Sequence, residues 1–146
     1  MGYDQLVKTV REKLQLGNDE QAVRAIEATL RTLSERLAGR EASQLAAQLP
    51  VEFRGAVKEA IDKAGEPFSM DEFYQRVRKR ESIDQMNLAA AIQHAQTVMA
   101  LICQTVTPGE VADVRAQLPP EYNDLFSQVQ TSPTNQGSST QPGNQA

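Results

Sequence analysis

Shifted by sixty-nine positions, the chain matches itself. Glu41, Ala47, Gln48, Leu49, Pro50 and Glu52 fall on Glu110, Ala116, Gln117, Leu118, Pro119 and Glu121. Apolar positions follow the same shift: Leu30 on Met99, Leu33 on Ile102, Leu37 on Val106, Phe53 on Tyr122. Near the start the shift is sixty-seven, carrying Asp4, Val10 and Arg11 onto Asp71, Val77 and Arg78. The two-residue difference belongs in the loop before the long helix of each repeat. A self-match of this length makes each copy one supersecondary unit. A unit of about sixty residues buries too little surface to stand well alone, so the copies are expected to pack on each other with pseudo-twofold symmetry. The organisation read from this is a first repeat over 3–66, a second over 67–127, and a polar tail over 128–146.

Each repeat reads as four helices: medium, long, short, short. Aromatic residues are 5% and tryptophan is absent, a composition that favours helix over sheet. Leu6, Val7, Val10 and Leu14 form one apolar stripe, with Gly17 as its expected stop. Asn18 or Asp19 caps a long helix with Val23, Ile26, Leu30, Leu33 and Leu37 inward, and Gly39 is read as its stop. Pro50 ends a short helix and opens another. Gly65 and Pro67 mark the junction. Ser69 and Glu72 have capping-box spacing, flanked by Phe68 and Phe73 as a hydrophobic staple. A second long helix runs from about Asn87 to Val106. Thr107, Pro108 and Glu110 signal a further start, and Pro119-Pro120 opens the last short helix. The fold class expected is all-α, a pseudo-symmetric bundle of about eight helices, with Pro50 and Pro119 at equivalent helix starts. The tail, made of Gln, Ser, Thr, Pro, Asn and Gly, has the composition of a disordered segment.

These elements resemble a known family. Asp71-Glu72-Phe73 with Arg76-Val77, the long helix, Gly109-Glu110 and Ala116-Gln117-Leu118-Pro119 are similar to a bacterial family described as domain of unknown function 2267. Glu41-Ala42 and Leu45-Ala46-Ala47-Gln48-Leu49-Pro50 repeat the same element. The resemblance covers roughly residues 3–126. It implies a duplicated all-helical domain of bacterial origin and carries no activity with it.

Composition and spacing exclude several classes of chemistry. The chain has 146 residues, one cysteine, one histidine and a net charge of −4, with a pI near 5.0. A single thiol forms no internal disulfide, and no His/Cys cluster has zinc spacing. There is no Walker loop, dinucleotide fingerprint or nucleophile elbow. His94 lies at the margin of the apolar stripe Ala91, Ala95, Val98 and Ile102, with no Cys, Asp or Glu one turn away to make a ligand set or a catalytic pair. Cys103 reads as a small packed residue. The expectation is a protein without catalytic residues, cofactor or metal. An acidic balance argues against coating nucleic acid. The N-terminus lacks signal-peptide and myristoylation features, and no apolar run reaches membrane-span length. The expected location is the cytoplasm.

Two surfaces stand out. Arg76, Arg78, Lys79 and Arg80 form the one basic run, read either as cations at a helix C-terminus or as a collar for a phosphate, nucleic acid or acidic partner. The second is an absence. From Gln85 to Gly109 no residue is charged. The outer face of the first long helix is read as Arg24, Glu27, Arg31 and Glu35, spaced for ion pairs in water. The same positions in the second are Gln93, Gln96, Ala100 and Gln104, extended by Ala89. Charge is depleted at interface centres, so this face is expected either to meet another chain or to be buried under the molecule itself. The function read from these features is a non-enzymatic interaction module, self-associating or binding another protein through Ala89, Gln93, Gln96, Ala100 and Gln104. One alternative is a carrier or sensor of an apolar ligand held between the repeats. The other is phosphate or nucleic-acid binding through the collar.

Overall fold

The computed structural model describes residues 1–81 and 87–129. The order is α1 (Tyr3–Lys13), α2 (Asp19–Arg36), α3 (Gly39–Gln48), α4 (Val51–Ala60), a 3-10 turn (Ile61–Lys63), α5 (Met70–Glu81), α6 (Leu88–Thr105), α7 (Pro108–Ala116) and a closing 3-10 helix (Pro120–Phe126). Among the described residues there is no strand, and the fold is an all-α bundle. None of these helices is long and apolar enough to cross a membrane. The tail from residue 130 onward lies outside the described residues. Its first two positions do not hang free: Gln128 accepts a hydrogen bond from the Thr97 hydroxyl, and Val129 packs against the core.

Local signals place the elements. Asn18 and Asn87, sixty-nine apart, each accept from the amide three residues on, Gln21 and Ala90, and so satisfy one open donor at the start of α2 and α6. The Ser69 hydroxyl accepts the Glu72 amide, and the Phe68 and Phe73 rings stand 6.4 Å apart, completing the staple. Pro50 and Pro119 are both extended N-cap residues of the elements that follow them. Backbone bonds recur in register: Leu49 to Ala46 with Leu118 to Arg115, and Phe53 to Pro50 with Tyr122 to Pro119.

Three boundaries differ from the sequence reading. Gly17 does not stop α1. Gln15 does, taking a left-handed conformation at φ 55°, with Leu16 N–H bonded to Arg11 C=O and Gln15 N–H to Glu12 C=O. That is a Schellman closure with glutamine where glycine is usual. Gly39 opens α3, and α2 ends at Leu37, with an extended backbone. The junction finishes α2: Gly65, at φ 83°, and Glu66 donate their amides to the Leu37 and Glu35 carbonyls. The last element is a 3-10 segment where the first repeat has an α-helix.

The repeats share one core. α2 lies against α5 of the other copy as well as against α1 and α4 of its own, and α6 lies against α1, α2, α5 and the closing 3-10 helix. Leu6, Ile26, Leu30, Leu33, Phe53, Phe73, Val98 and Leu125 are sealed from solvent within a single apolar cluster. α3 and α7 meet in reciprocal fashion. The Gln48 side-chain oxygen accepts from the Thr107 amide at 2.8 Å, and Gln117, its counterpart, accepts from the Ala38 amide at 3.1 Å. Each glutamine thereby caps the start of the facing helix.

Ala100 is buried on α6. Its counterpart Arg31 is paired with Glu59 on α4; position 128, which corresponds to 59, is glutamine. Ala100→Arg therefore places a cation where glutamine stands in place of the acid that meets Arg31. The variant should lose about 2–4 kcal/mol in chemical denaturation, whereas Gln104→Arg, at an exposed position, should change stability by less than about 0.5 kcal/mol.

Candidate functional site

The basic run does not form a free collar. Arg76 spends all three guanidinium nitrogens on carboxylates: Nε donates to Glu72 at 2.9 Å, Nη1 to Glu35 at 2.9 Å and Glu66 at 3.0 Å, and Nη2 to Glu66 at 2.6 Å. Its plane also lies over the Phe68 ring at 3.8 Å. Arg80 clasps Glu35 through both terminal nitrogens and donates to the Thr32 hydroxyl. Arg78 is half-buried and Lys79 is exposed. An open cleft of about 390 Å³ lies here, lined by Lys63 and Lys79 as well as by the two arginines and Glu35, Glu66 and Glu72. The two central arginines are already neutralised.

Glu35 corrects the reading of α2 as a helix with a water-facing charged side. Its side chain is only 4% exposed. Burial alone would push the carboxyl up, but the hydrogen bonds and charges of Arg80 and Arg76 outweigh it and hold the group below the ordinary carboxyl range. Glu66 is held low chiefly by its bond to Arg76. Removing the guanidiniums would leave a buried anion uncompensated. Arg76→Gln with Arg80→Gln should cost about 3–5 kcal/mol in urea denaturation, while Lys79→Gln should leave stability within about 0.5 kcal/mol of the parent.

The neutral face of α6 is divided. Ala89, Gln93 and Gln104 are exposed. Gln96 is half-buried and donates to the Asp124 carbonyl at 3.0 Å and to the Tyr74 hydroxyl at 3.2 Å, while Tyr74 donates to Asp124 Oδ2 at 2.6 Å. Gln96 thereby ties the centre of the face to the closing 3-10 helix, and Ala100, one turn on, is buried.

His94 has an acid after all. Its Nδ1 lies 2.8 Å from Glu81 Oε1, and Glu81, at the end of α5, is buried. Thirteen residues of separation hid this pair from local spacing. Cys103 is half-buried, and burial pushes its thiol up to about 11, so it is not a thiolate nucleophile at neutral pH.

The arrangement with the least ordinary chemistry lies where α3 meets α7. Glu41 of α3 and its counterpart Glu110 of α7 are both buried. They face each other, with exposed Asp113 beside them. One carboxylate oxygen from each of the three residues falls within 4.8 Å of the others. Gln117 Nε2 donates to Glu41 Oε1 at 3.3 Å, while Oε2 of both glutamates is sealed and unpartnered. Burial, and the neighbouring carboxyls of Glu41 and Asp113, push the Glu110 carboxyl up to about 7. In the sequence the two residues stand out as a repeat identity, and Glu110 as the acid of a helix start, but neither as part of a site. The available signal was a carboxylate retained at the same place in both copies, in a stretch otherwise rich in Ala and Leu.

The chain belongs to the family described as "Uncharacterized conserved protein (DUF2267)", whose match spans residues 3–125. No curated protein matches the sequence.

The Glu110 shift fixes the sign of a pH effect. Between the ordinary carboxyl range and about pH 7 the folded protein holds a proton that the unfolded chain has released, so stability falls as pH rises through that window. The depressed carboxyls, Glu35 and Glu66, act below it and in the opposite sense. Denaturation at pH 5 and pH 8 should show a loss of about 1–3 kcal/mol at the higher pH, and Glu110→Gln should flatten that dependence.

Proposed function

We propose that the protein is a non-enzymatic helical interaction module of the bacterial cytoplasm that associates with a second copy of itself through the exposed ends of α6. The observation that carries this reading is that α6 has no charged side chain along its length, yet leaves Ala89, Gln93 and Gln104 exposed. Small and neutral residues permit close helix approach without desolvating a charge. The burial of Ala100 and the internal bonds of Gln96 restrict the docking surface to the two ends of the helix, so association is expected to be weak.

Four side chains outside the acidic cluster that could serve catalysis are engaged in structure. Arg76 and Arg80 are saturated by carboxylates, His94 is held by Glu81, and the Cys103 thiol is kept protonated. The same engagement of Arg76 and Arg80 weighs against phosphate or nucleic-acid binding through the basic run. The apolar-carrier reading is weakened by the inter-repeat core, whose Leu30, Leu33, Phe73 and Met99 side chains are packed and almost wholly inaccessible.

Sedimentation equilibrium over a wide concentration series tests the proposal. The parent should shift reversibly towards dimer with increasing concentration. Ala89→Arg with Gln93→Arg should weaken the dimer by about tenfold or more while leaving the melting curve in place. A parent that stays monomeric throughout would refute it.

A further inference from the structure

We propose that Glu41, Glu110 and Asp113 form a binding site for one hard divalent cation, seated where α3 of the first repeat meets α7 of the second. This stands apart from the interaction reading and does not depend on it. Three acids near one another are only a patch. What points to a ligand here is the condition of the two glutamates. Glu41 is 6% exposed and Glu110 5%, and the Oε2 atom of each is sealed from solvent without a hydrogen-bond partner.

Neither glutamate is paired with an arginine, lysine or histidine among the described residues. The one polar contact from outside the cluster is the neutral amide of Gln117 on Glu41. Buried carboxylate oxygens without a counter-charge are unfavourable, and they are relieved either by a proton or by a metal ion. The donor set decides which ions fit. Three carboxylates and no nitrogen or sulfur suit a hard cation such as Mn2+, Mg2+ or Ca2+ over Zn2+ or Cu2+.

The geometry also supplies access and asymmetry. Asp113 is exposed, so an ion can reach the buried pair from its side and keep waters there. Its counterpart in the first repeat is Gln44. The duplication thus supplies a symmetric pair of glutamates, and Asp113 makes the site one-sided. An ion held by Glu41 and Glu110 would tie one repeat to the other.

Titration calorimetry of the intact protein with Mn2+ at pH 8, paired with thermal melting, tests the site. The expected result is one ion per chain and a higher melting temperature with Mn2+ than without. Glu110→Gln should abolish binding. Asp113→Asn, at an exposed position where folding is not at stake, should weaken it about tenfold or more and remove most of the melting shift. Three outcomes would overturn the proposal: no binding by the parent; binding undiminished in both variants, which would put the ion elsewhere; or stability that answers to pH but not to Mn2+, which would mean that a proton alone occupies the pair.

Discussion

A carboxylate buried near the C-terminus of the first long helix must be neutralised, and the chain that neutralises it comes from the other repeat. Glu35 sits between Arg76 and Arg80 of α5, one helical turn apart, with Thr32 held by the same Arg80. The spacing of the two arginines fixes how far α5 can slide along α2. The junction between the repeats is drawn into the same knot, because Glu66 binds Arg76 and the Glu66 amide bonds the Glu35 carbonyl. Such a pair contributes less net stability than its geometry suggests, since both partners lose water. Its effect is on register: this alignment of the repeats pairs buried Glu35 with both arginines, and a shifted one would leave it unpaired.

The two copies have diverged around this clasp. Gln104 is the counterpart of Glu35, and Thr9 and Lys13 are the counterparts of Arg76 and Arg80. The second possible clasp is therefore neutral on the α6 side. A similar exchange separates the short closing elements. Arg31 pairs with Glu59 in the first repeat, whereas the corresponding positions in the second are Ala100 and Gln128. The first repeat holds its last helix partly by an ion pair. The second holds a 3-10 segment by burial of Tyr122, Leu125 and Phe126 and by the hydrogen bonds of Gln96. The absence of charge in α6 thus has a structural cause along much of its length.

Local rules made the elements legible in the sequence. Asn18, Asn87, Thr107 and Ser69 act on amides three residues away, and the Leu-Pro elements act on their immediate neighbours, so their spacing already specifies their geometry. What remained hidden depends on the other repeat. Helical periodicity places Glu35 opposite the core stripe of its own copy, and only α5 turns that side into an interior. Glu81 and His94, or Glu41 and Glu110, meet because helices distant in sequence pack side by side. Gln15 escaped for a different reason: a left-handed residue is expected to be glycine, and a nearby Gly17 offered the obvious reading.

The account stands on the claim that the repeats are halves of one core and not two folding units. α2 carries that claim, since Ala22, Ala25, Ile26, Thr29, Leu30, Leu33 and Glu35 are all buried and part of their cover comes from α5. The direct measurement is thermal melting by circular dichroism of a fragment spanning residues 1–66, alone and mixed with a fragment spanning 67–129. The account predicts no cooperative transition for either fragment alone, and a cooperative one for the mixture. A fragment of residues 1–66 that melts cooperatively by itself, with a midpoint close to that of the whole protein, would contradict it.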